Sequence, residues 1–236
     1  RYGNIDIPTA QVNTWQVAGR GQNALLPQHT KLLIQANSST TTSSTIYDQA
    51  GNHAVTVSGA VQSTTLTNFG NTAIYFDGTN DYLELADSDD WNTDQDFSWE
   101  AWVSHSDHVG TEHYFHQGRT SSPNNTYGHL FHVHGTGIRY TNGGSGPYTV
   151  DTGSGGEITD TNWHHIALAK NGENYSLWKD GQLITTKNST TAAATFTTAF
   201  WIGKGYGGDY FQGYMDGIRI CRGMAAYTPN FNPYGA

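Results

Sequence analysis

Histidines are the residues of this chain whose number and spacing most clearly point to chemistry. The chain has 11 histidines, and those between residues 105 and 165 are His105, His108, His113, His116, His129, His132, His134, His164 and His165. Imidazoles exchange protons near neutral pH, and they bind zinc or copper where two or three converge. The elements that carry these histidines therefore decide whether they form a site.

The segment HLFHVH (129–134) alternates apolar and polar residues as a β-strand does, which places His132 and His134 on one face. Carboxylates that could complete a metal site there are few, and the nearest in sequence are Asp107 and Glu112. We therefore expect His132 and His134 to make polar contacts with a ligand or with a neighbouring subunit, rather than to hold a metal ion.

The segment WHHIALAKNGENYSLWKDGQLI (163–184) predicts a β-hairpin. His164 and His165 open its first strand and fall on opposite faces, and the apolar residues that follow predict a central strand covered on both sides. Asp180 and Gly181 tolerate the positive φ angles that a two-residue hairpin loop requires. We interpret both histidines as hydrogen-bonded structural groups rather than catalytic ones.

Short segments rich in aromatic and β-branched residues follow one another from residue 31 to the C-terminal region, with turn residues between them. No window shows the repeat of an amphipathic helix. We predict an all-β fold in which two antiparallel sheets pack face to face, a β-sandwich or jelly roll. Residues 1–30 show no periodicity and are predicted to be an irregular arm, and residues 31–236 to be the sandwich domain.

Composition excludes several classes of function. Lys and Arg total 11 against 20 Asp and Glu, a net charge of −9, which disfavours nucleic acid and anionic membranes as partners. No apolar run is long enough for a membrane helix, and no signal peptide is recognisable at the N-terminus, so we expect a soluble protein. Cys221 is the only cysteine, which excludes an intrachain disulfide and favours a buried, inert thiol.

Two further groups of residues, separate from the histidines, could bind a ligand. Aromatic rings beside acids and amides suit carbohydrates, since one side of a sugar ring stacks while its hydroxyls form hydrogen bonds. Loop residues of this kind are Asn125, Tyr127, Tyr148, Tyr206, Asp209 and Tyr210. The turn FDGTNDY (76–82) carries Asp77 and Asp81, whose oxygens suit calcium, although both side chains could equally cap their own turn.

Four segments in order resemble the laminin-G-like domains of the concanavalin A-like lectin/glucanase superfamily. They are WHHIALAKNGENYSLWKDGQLI (163–184), AIYFDGTNDYLEL (73–85), DFSWEAWV (96–103) and GYMDGIRICRGMAAYTPNF (213–231). The ending of the last segment is similar to versions of the domain found in bacteriophage virion and tail-fibre proteins.

This resemblance implies a function in carbohydrate binding without catalysis. The expected partners are a bacterial surface polysaccharide or lipopolysaccharide, other virion proteins and further copies of the chain, and the expected location is the virion. The resemblance also implies a structural or ligand-bridging calcium, with Asp216 joining Asp77 or Asp81. A structural virion protein without glycan binding is the alternative.

Enzymatic activity is poorly supported by the carboxylates. Glycosidases need two carboxyl groups on either side of the scissile bond, and family members that hydrolyse β-glucans carry an E-x-D-x-x-E strand that this sequence lacks. The glutamates of the chain are unpaired in sequence, and Glu100 belongs to the DFSWEAWV motif. A polysaccharide-degrading enzyme is therefore the least favoured hypothesis.

Overall fold

The chain folds into two antiparallel β-sheets, as a computed structural model shows. The structure describes residues 27–38, 42–107, 110–118, 128–135, 137–143, 149–153, 156–190, 195–227 and 230–233. Within these ranges the only helical elements are two short 3₁₀ turns, Pro27–His29 and Asp89–Trp91. No helix in the described ranges has the length and apolar character needed to cross a membrane. The prediction of an all-β fold is confirmed.

The strands have between two and 11 residues, and tight turns join some of them. In chain order they are β1 (Thr30–Ile34), β2 (Thr42–Ser43), β3 (Thr56–Ser58), β4 (Val61–Ser63), β5 (Ala73–Asp77), β6 (Tyr82–Leu85), β7 (Phe97–His105), β8 (Thr111–Gln117), β9 (His129–His134), β10 (Gly137–Asn142), β11 (Val150–Asp151), β12 (His164–Asn171), β13 (Asn174–Lys179), β14 (Gln182–Asn188), β15 (Phe200–Ile202) and β16 (Gln212–Arg222).

One sheet has nine strands in the order β14-β13-β12-β7-β16-β5-β4-β2, with β1 also paired to β16. The 11-residue strand β16 is long enough to pair with β5 at its start and with β1 near its end. The second sheet has seven strands in the order β11-β10-β9-β8-β15-β6-β3. Each sheet therefore combines strands from distant parts of the chain.

The core lies between the two sheets and is filled by alternate residues of both. Trp99 on β7 contacts Phe115 and Phe200 of the opposite sheet, with ring centroids 5.9 and 5.4 Å apart. Trp99, Phe115 and Phe200 are all buried. Burying a large aromatic side chain contributes about 1.5–3 kcal/mol, and alternation fixes the pairing register because a shift by one residue would turn these rings outward.

The predicted hairpin between β13 and β14 is confirmed in its loop geometry. Asp180 has φ 51° and Gly181 has φ 77°, the two positive values of a tight hairpin turn. A Cβ atom at Gly181 would collide with the backbone carbonyl of Phe231. Glycine is therefore required at this position both by the turn and by the C-terminal segment that crosses it.

The segments predicted as strands from residue 31 onward all contain strands, although β11 was not predicted. β1 begins at Thr30, one residue before the predicted start of the domain. β2 falls within a polar stretch, residues 38–45, for which we expected a loop or an exposed edge strand, and it is the last strand of its sheet. Residues 1–26 of the predicted arm lie outside the described residues.

Candidate functional site

The outward side of the seven-stranded sheet carries a connected group of aromatic rings, histidines and acids. Strand alternation produces it: Leu83 and Leu85 of β6 enter the core, so Tyr82 and Glu84 point outward. In the same way Phe200 and Ile202 of β15 enter the core and Trp201 points outward. The cross-strand pairing sets Trp201 between Glu84 on one side and His116 on the other. We call this surface the outer face.

Tyr82, Trp201 and Tyr210 form the aromatic part of the outer face, and all three are partly exposed. The ring of Tyr82 lies 6.4 Å from that of Trp201 and 6.5 Å from that of Tyr210. Lys204 Nζ lies 3.8 Å from the centroid of Tyr82 and 4.2 Å from that of Trp201. Such cation–π contacts contribute about 0.5–1 kcal/mol at exposed sites, so Lys204 modestly stabilises the observed positions of the two rings.

Two carboxylates lie beside these rings. Glu84 Oε2 accepts a hydrogen bond of 2.9 Å from the indole Nε1 of Trp201, which fixes the indole orientation. Asp209 has a side chain that is 45% exposed, and one of its oxygens lies 3.8 Å from His113 Nε2. Partial burial raises the pKa of the Asp209 carboxyl. Each acid keeps an oxygen available as an acceptor for a polar ligand.

Three histidines continue the outer face from β15 across β8 and β9. The ring of His113 stacks on His132 with centroids 4.9 Å apart, and it lies 5.5 Å from the ring of His116. Burial lowers the pKa of His116 to about 3 and that of His132 to about 4, and it lowers the pKa of His113 well below the usual value. All three imidazoles are therefore neutral at pH 7. They form a buried, uncharged layer beside the exposed rings of the outer face.

The loop 203–211 closes one end of the outer face and is shaped by glycine. Gly205 lies directly against the ring of His113, where a Cβ atom would collide with it. Gly207 and Gly208 have φ values of 85° and 96°, which let the loop turn at its tip. Backbone hydrogen bonds from Gly205 to Asp209 and from Phe211 to Gly203 hold the loop closed.

The structure brings together part of the predicted carbohydrate-binding set. Tyr206, Asp209 and Tyr210 lie in the loop 203–211, and His132 lies on the outer face beside His113. His134 is exposed at the end of β9, where Thr111 Oγ1 and His134 Nδ1 are 2.6 Å apart. The remaining predicted residues, Asn125, Tyr127 and Tyr148, lie outside the described residues.

Sequence reasoning missed Tyr82, Trp201 and Lys204. It treated the aromatic residues of AIYFDGTNDYLEL and FWIGKG as strand formers and looked for ligands in the loops. Alternation carried the missing signal, because Tyr82 precedes Leu83 and Trp201 lies between Phe200 and Ile202, so each ring had to point away from the core.

The three aspartates predicted to bind calcium lie in two places. Asp77 Oδ1 accepts hydrogen bonds from the backbone N–H groups of Thr79 and Asn80, and Asp81 Oδ2 accepts one from Asp77 itself. Asp77 and Asp81 thus cap their own turn. Asp77 pairs with Gln212 on β16, four residues before Asp216, so the turn and Asp216 are about 13 Å apart along the strand.

Asp216 is buried, and its Oδ1 accepts hydrogen bonds from the backbone N–H groups of Ala36 and Gly217. Burial raises the pKa of this carboxyl to about 6. The part of the chain that the structure describes holds no group of three or more His, Cys, Asp or Glu able to bind a metal ion. Calcium binding by these aspartates stays a prediction.

His165 belongs to a buried network on the opposite sheet, as expected of a structural histidine. Its Nε2 lies 3.0 Å from Glu100 Oε2, and Arg219 Nε donates to the other oxygen of Glu100. Arg219 Nη2 also donates to the hydroxyl of Tyr227, whose ring stacks on Phe231 at 4.1 Å. Although burial opposes ionisation of Glu100, Arg219 and His165 lower its pKa. The network attaches the C-terminal segment to the sheet.

His164 lies on the other side of β12 and is likewise held by acids. Its Nδ1 lies 2.8 Å from Asp180 Oδ2, and its Nε2 lies 3.1 Å from Asp160 Oδ1. The hydrogen bond to Asp180 raises the pKa of His164. Asp180 is also the first residue of the hairpin loop and accepts from the backbone N–H of His165. His164 therefore connects the start of β12 to the β13–β14 turn.

The sequence profile of a laminin G family, described as the concanavalin A-like lectin/glucanases superfamily, matches residues 77–224. No curated protein matches the chain. Among solved structures, the binding domain of Paraclostridial Mosquitocidal Protein 1 is similar with a TM-score of 0.61 at 15% identity, over 83% of this chain and 49% of that one.

Domain 4 of AbnA, an extracellular arabinanase from Geobacillus stearothermophilus solved in complex with arabinotriose, has a TM-score of 0.58 at 17% identity, over 84% of this chain and 95% of that one. The binding domain of Botulinum neurotoxin DC, solved with rat synaptotagmin II, has a TM-score of 0.60 at 14% identity, over 83% of this chain and 48% of that one. The chain spans about half the length of the two toxin domains. These likenesses show a shared fold.

Proposed function

The chain belongs to the concanavalin A-like lectin/glucanases superfamily, and from that premise we propose that it is a carbohydrate-binding domain whose ligand lies on the outer face. The observation that carries the proposal is the association of partly exposed rings with fixed hydrogen-bonding groups. Tyr82, Trp201 and Tyr210 are held close together, and Glu84 and Asp209 lie at their edges. Rings and acids in this combination match the apolar side and the hydroxyl rim of a sugar.

The charges of the outer face favour a ligand with many hydroxyl groups. The three histidines next to the rings are uncharged at neutral pH, and Glu84 and Asp209 supply acceptors. Lys204 is occupied by the faces of Tyr82 and Trp201. Sugar hydroxyls both donate and accept hydrogen bonds, so they complement the carboxylate acceptors and the one ammonium group of the outer face.

Two solved neighbours support this proposal by what they bind. Domain 4 of AbnA was solved with arabinotriose, and a binding domain of Botulinum Neurotoxin DC was solved with SialylT. We extend this to the chain as binding of a bacterial surface polysaccharide or lipopolysaccharide, without catalysis. We also propose that the domain is carried by a bacteriophage virion or tail fibre, because its closing segment is similar to the version of the domain found there.

A polysaccharide array followed by calorimetry tests the proposal. The array should contain capsular polysaccharides and lipopolysaccharides from many bacteria. For a polysaccharide that binds, Trp201→Ala and Tyr82→Ala should each weaken the affinity about tenfold, because each removes a stacking ring worth about 1 kcal/mol or more. Tyr47→Ala is the matched control, since Tyr47 is 50% exposed and is not part of the outer face.

Two results would count against the proposal. If no polysaccharide binds, the domain serves assembly, as the structural alternative holds. If a polysaccharide binds but Trp201→Ala and Tyr82→Ala leave its affinity unchanged, the ligand lies elsewhere on the domain. Release of shortened or unsaturated sugar products during the assay would show that the domain is an enzyme.

A further inference from the structure

The opposite, nine-stranded sheet carries a second concave surface. It is a groove of about 380 Å³ lined chiefly by Asn171, Asn174, Ser176, Trp178, Thr186 and Tyr227. We propose that this groove is a second binding site, and that its ligand is a short neutral saccharide. None of its lining residues belongs to the outer face, so the inference is independent of the site proposed above.

The groove follows from side-chain sizes on three neighbouring strands. Ala169 on β12 pairs with Ser176 on β13, and Ser176 pairs with Thr186 on β14. These short side chains leave a depression in the surface of the sheet. Trp178 and Tyr227 stand beside them with ring centroids 5.8 Å apart and form a higher wall. A depression with a polar floor and an aromatic wall is the result.

The chemistry of the lining selects an uncharged ligand with hydroxyl groups. Every side chain that lines the groove is uncharged, so a charged ligand would lose its hydration without gaining a counter-charge. Asn171 and Asn174 are exposed and present amide donors and acceptors at one end. The hydroxyl oxygens of Ser176 and Thr186 lie 2.7 Å apart and form a polar floor. The volume is near the low end of ligand pockets, which run from about 300 to 1,000 Å³, and so fits a short saccharide.

Trp178 is the lining residue best suited to report a bound ligand. Its side chain is buried, with 3% of the residue exposed, yet no hydrogen-bond acceptor for its indole Nε1 exists among the described residues. Because Trp178 lines the groove, a ligand bound there would lie beside its indole ring and change the environment of its N–H.

Nuclear magnetic resonance of the whole ¹⁵N-labelled chain tests this site with neutral sugars. The probes are glucose, galactose, mannose, arabinose and their disaccharides at millimolar concentrations. We expect the indole N–H signal of Trp178, identified as the one lost in Trp178→Phe, to shift saturably together with the side-chain amides of Asn171 and Asn174. Glucuronate and galacturonate should shift these signals at least tenfold more weakly than glucose and galactose.

Variants separate this site from the outer face. Asn174→Ala, at an exposed position, should weaken binding in the groove at least fivefold. Trp201→Ala should leave the groove's affinity unchanged. The inference is overturned if no neutral sugar shifts the Trp178 signal, if acidic sugars bind equally well, or if Trp201→Ala abolishes the shifts because the sugar sits on the outer face. Retained dispersion of the amide signals in each variant confirms that it is folded.

Discussion

Replacing Asp216 by Asn should remove a pH-dependent cost to stability. Asp216 is buried on β16, and burial raises its pKa from 3.8 to about 6. Its Oδ1 accepts two backbone hydrogen bonds, at 3.0 Å from Ala36 and 2.8 Å from Gly217. An asparagine keeps the oxygen that accepts these bonds and carries no ionisable group. The substitution therefore tests the charge while leaving most of the local structure intact.

The sign and size follow from the two pKa values. In the unfolded chain the carboxyl ionises near pH 3.8, whereas in the folded chain it holds its proton up to about pH 6. The folded state thus binds more protons between these values, and stability falls as pH rises through this window. A pKa difference of about two corresponds to about 3 kcal/mol. Above pH 6 the variant should recover about 1–3 kcal/mol, because the amide still has to fit beside the backbone N–H groups.

Urea unfolding of both proteins at intervals from pH 4 to pH 8, with a chelator present, measures this difference. Subtracting the wild-type curve from the Asp216→Asn curve cancels the titration of every other group. The difference should grow in favour of the variant between pH 4 and pH 6 and then stay level. A flat difference, or one that favours the wild type at pH 8, would refute the reasoning. Calcium added at pH 8 should stabilise only the wild type if Asp216 is a calcium ligand.

Three further substitutions test other parts of the structure. Glu100→Gln should lower the free energy of unfolding at pH 7 by about 3–5 kcal/mol, since it breaks a buried ion pair with Arg219. Urea unfolding of both proteins measures this difference in free energy. A loss below about 1 kcal/mol would contradict the structural role of His165 and its partners. His116→Phe should move the midpoint of acid unfolding, followed by circular dichroism, to lower pH. The reason is that His116 stays neutral to about pH 3 in the folded chain but takes up a proton near pH 6.5 when the chain is unfolded. An unchanged midpoint would argue against a buried neutral imidazole. Gly181→Ala should lower the thermal unfolding temperature more than Gly207→Ala does. Both glycines have a positive φ, but only Gly181 lies against Phe231. Equal decreases in unfolding temperature would show that the C-terminal segment does not pack there.

The sequence predicted the central strands well because burial on both sides imposes their apolar pattern. β7 contains FSWEAWV of the quoted segment DFSWEAWV (96–103), and every residue of the strand is buried. β12 was predicted as a strand covered on both faces, and Ile166 and Leu168 do enter the main core while Ala167 and Ala169 lie under Tyr227. β11 was missed because a two-residue strand is defined by its neighbours rather than by a pattern of its own.

The candidate site was predictable only in part, because it combines residues that are distant in the sequence. The sequence identified the loop 203–211, within GKGYGGDYFQG (203–213), from its glycines and aromatic residues. The neighbours that complete the outer face come from β6, β8 and β9, and their proximity depends on the strand order of the seven-stranded sheet. A single sequence shows which way Tyr82 and Trp201 point, but the pairing of β15 with β6 and β8 decides that they meet His116 and Glu84.

The most direct test of a glycan-binding outer face is a map of the residues that a bound polysaccharide fragment perturbs. An oligosaccharide prepared from a polysaccharide that binds on the array would be titrated into the ¹⁵N-labelled chain and followed by amide and indole signals. We expect the largest shifts at Tyr82, Trp201, Lys204, Asp209 and Tyr210, with smaller shifts at His113 and His132. Shifts confined to the nine-stranded sheet, or to the turn that holds Asp77 and Asp81, would contradict the central claim.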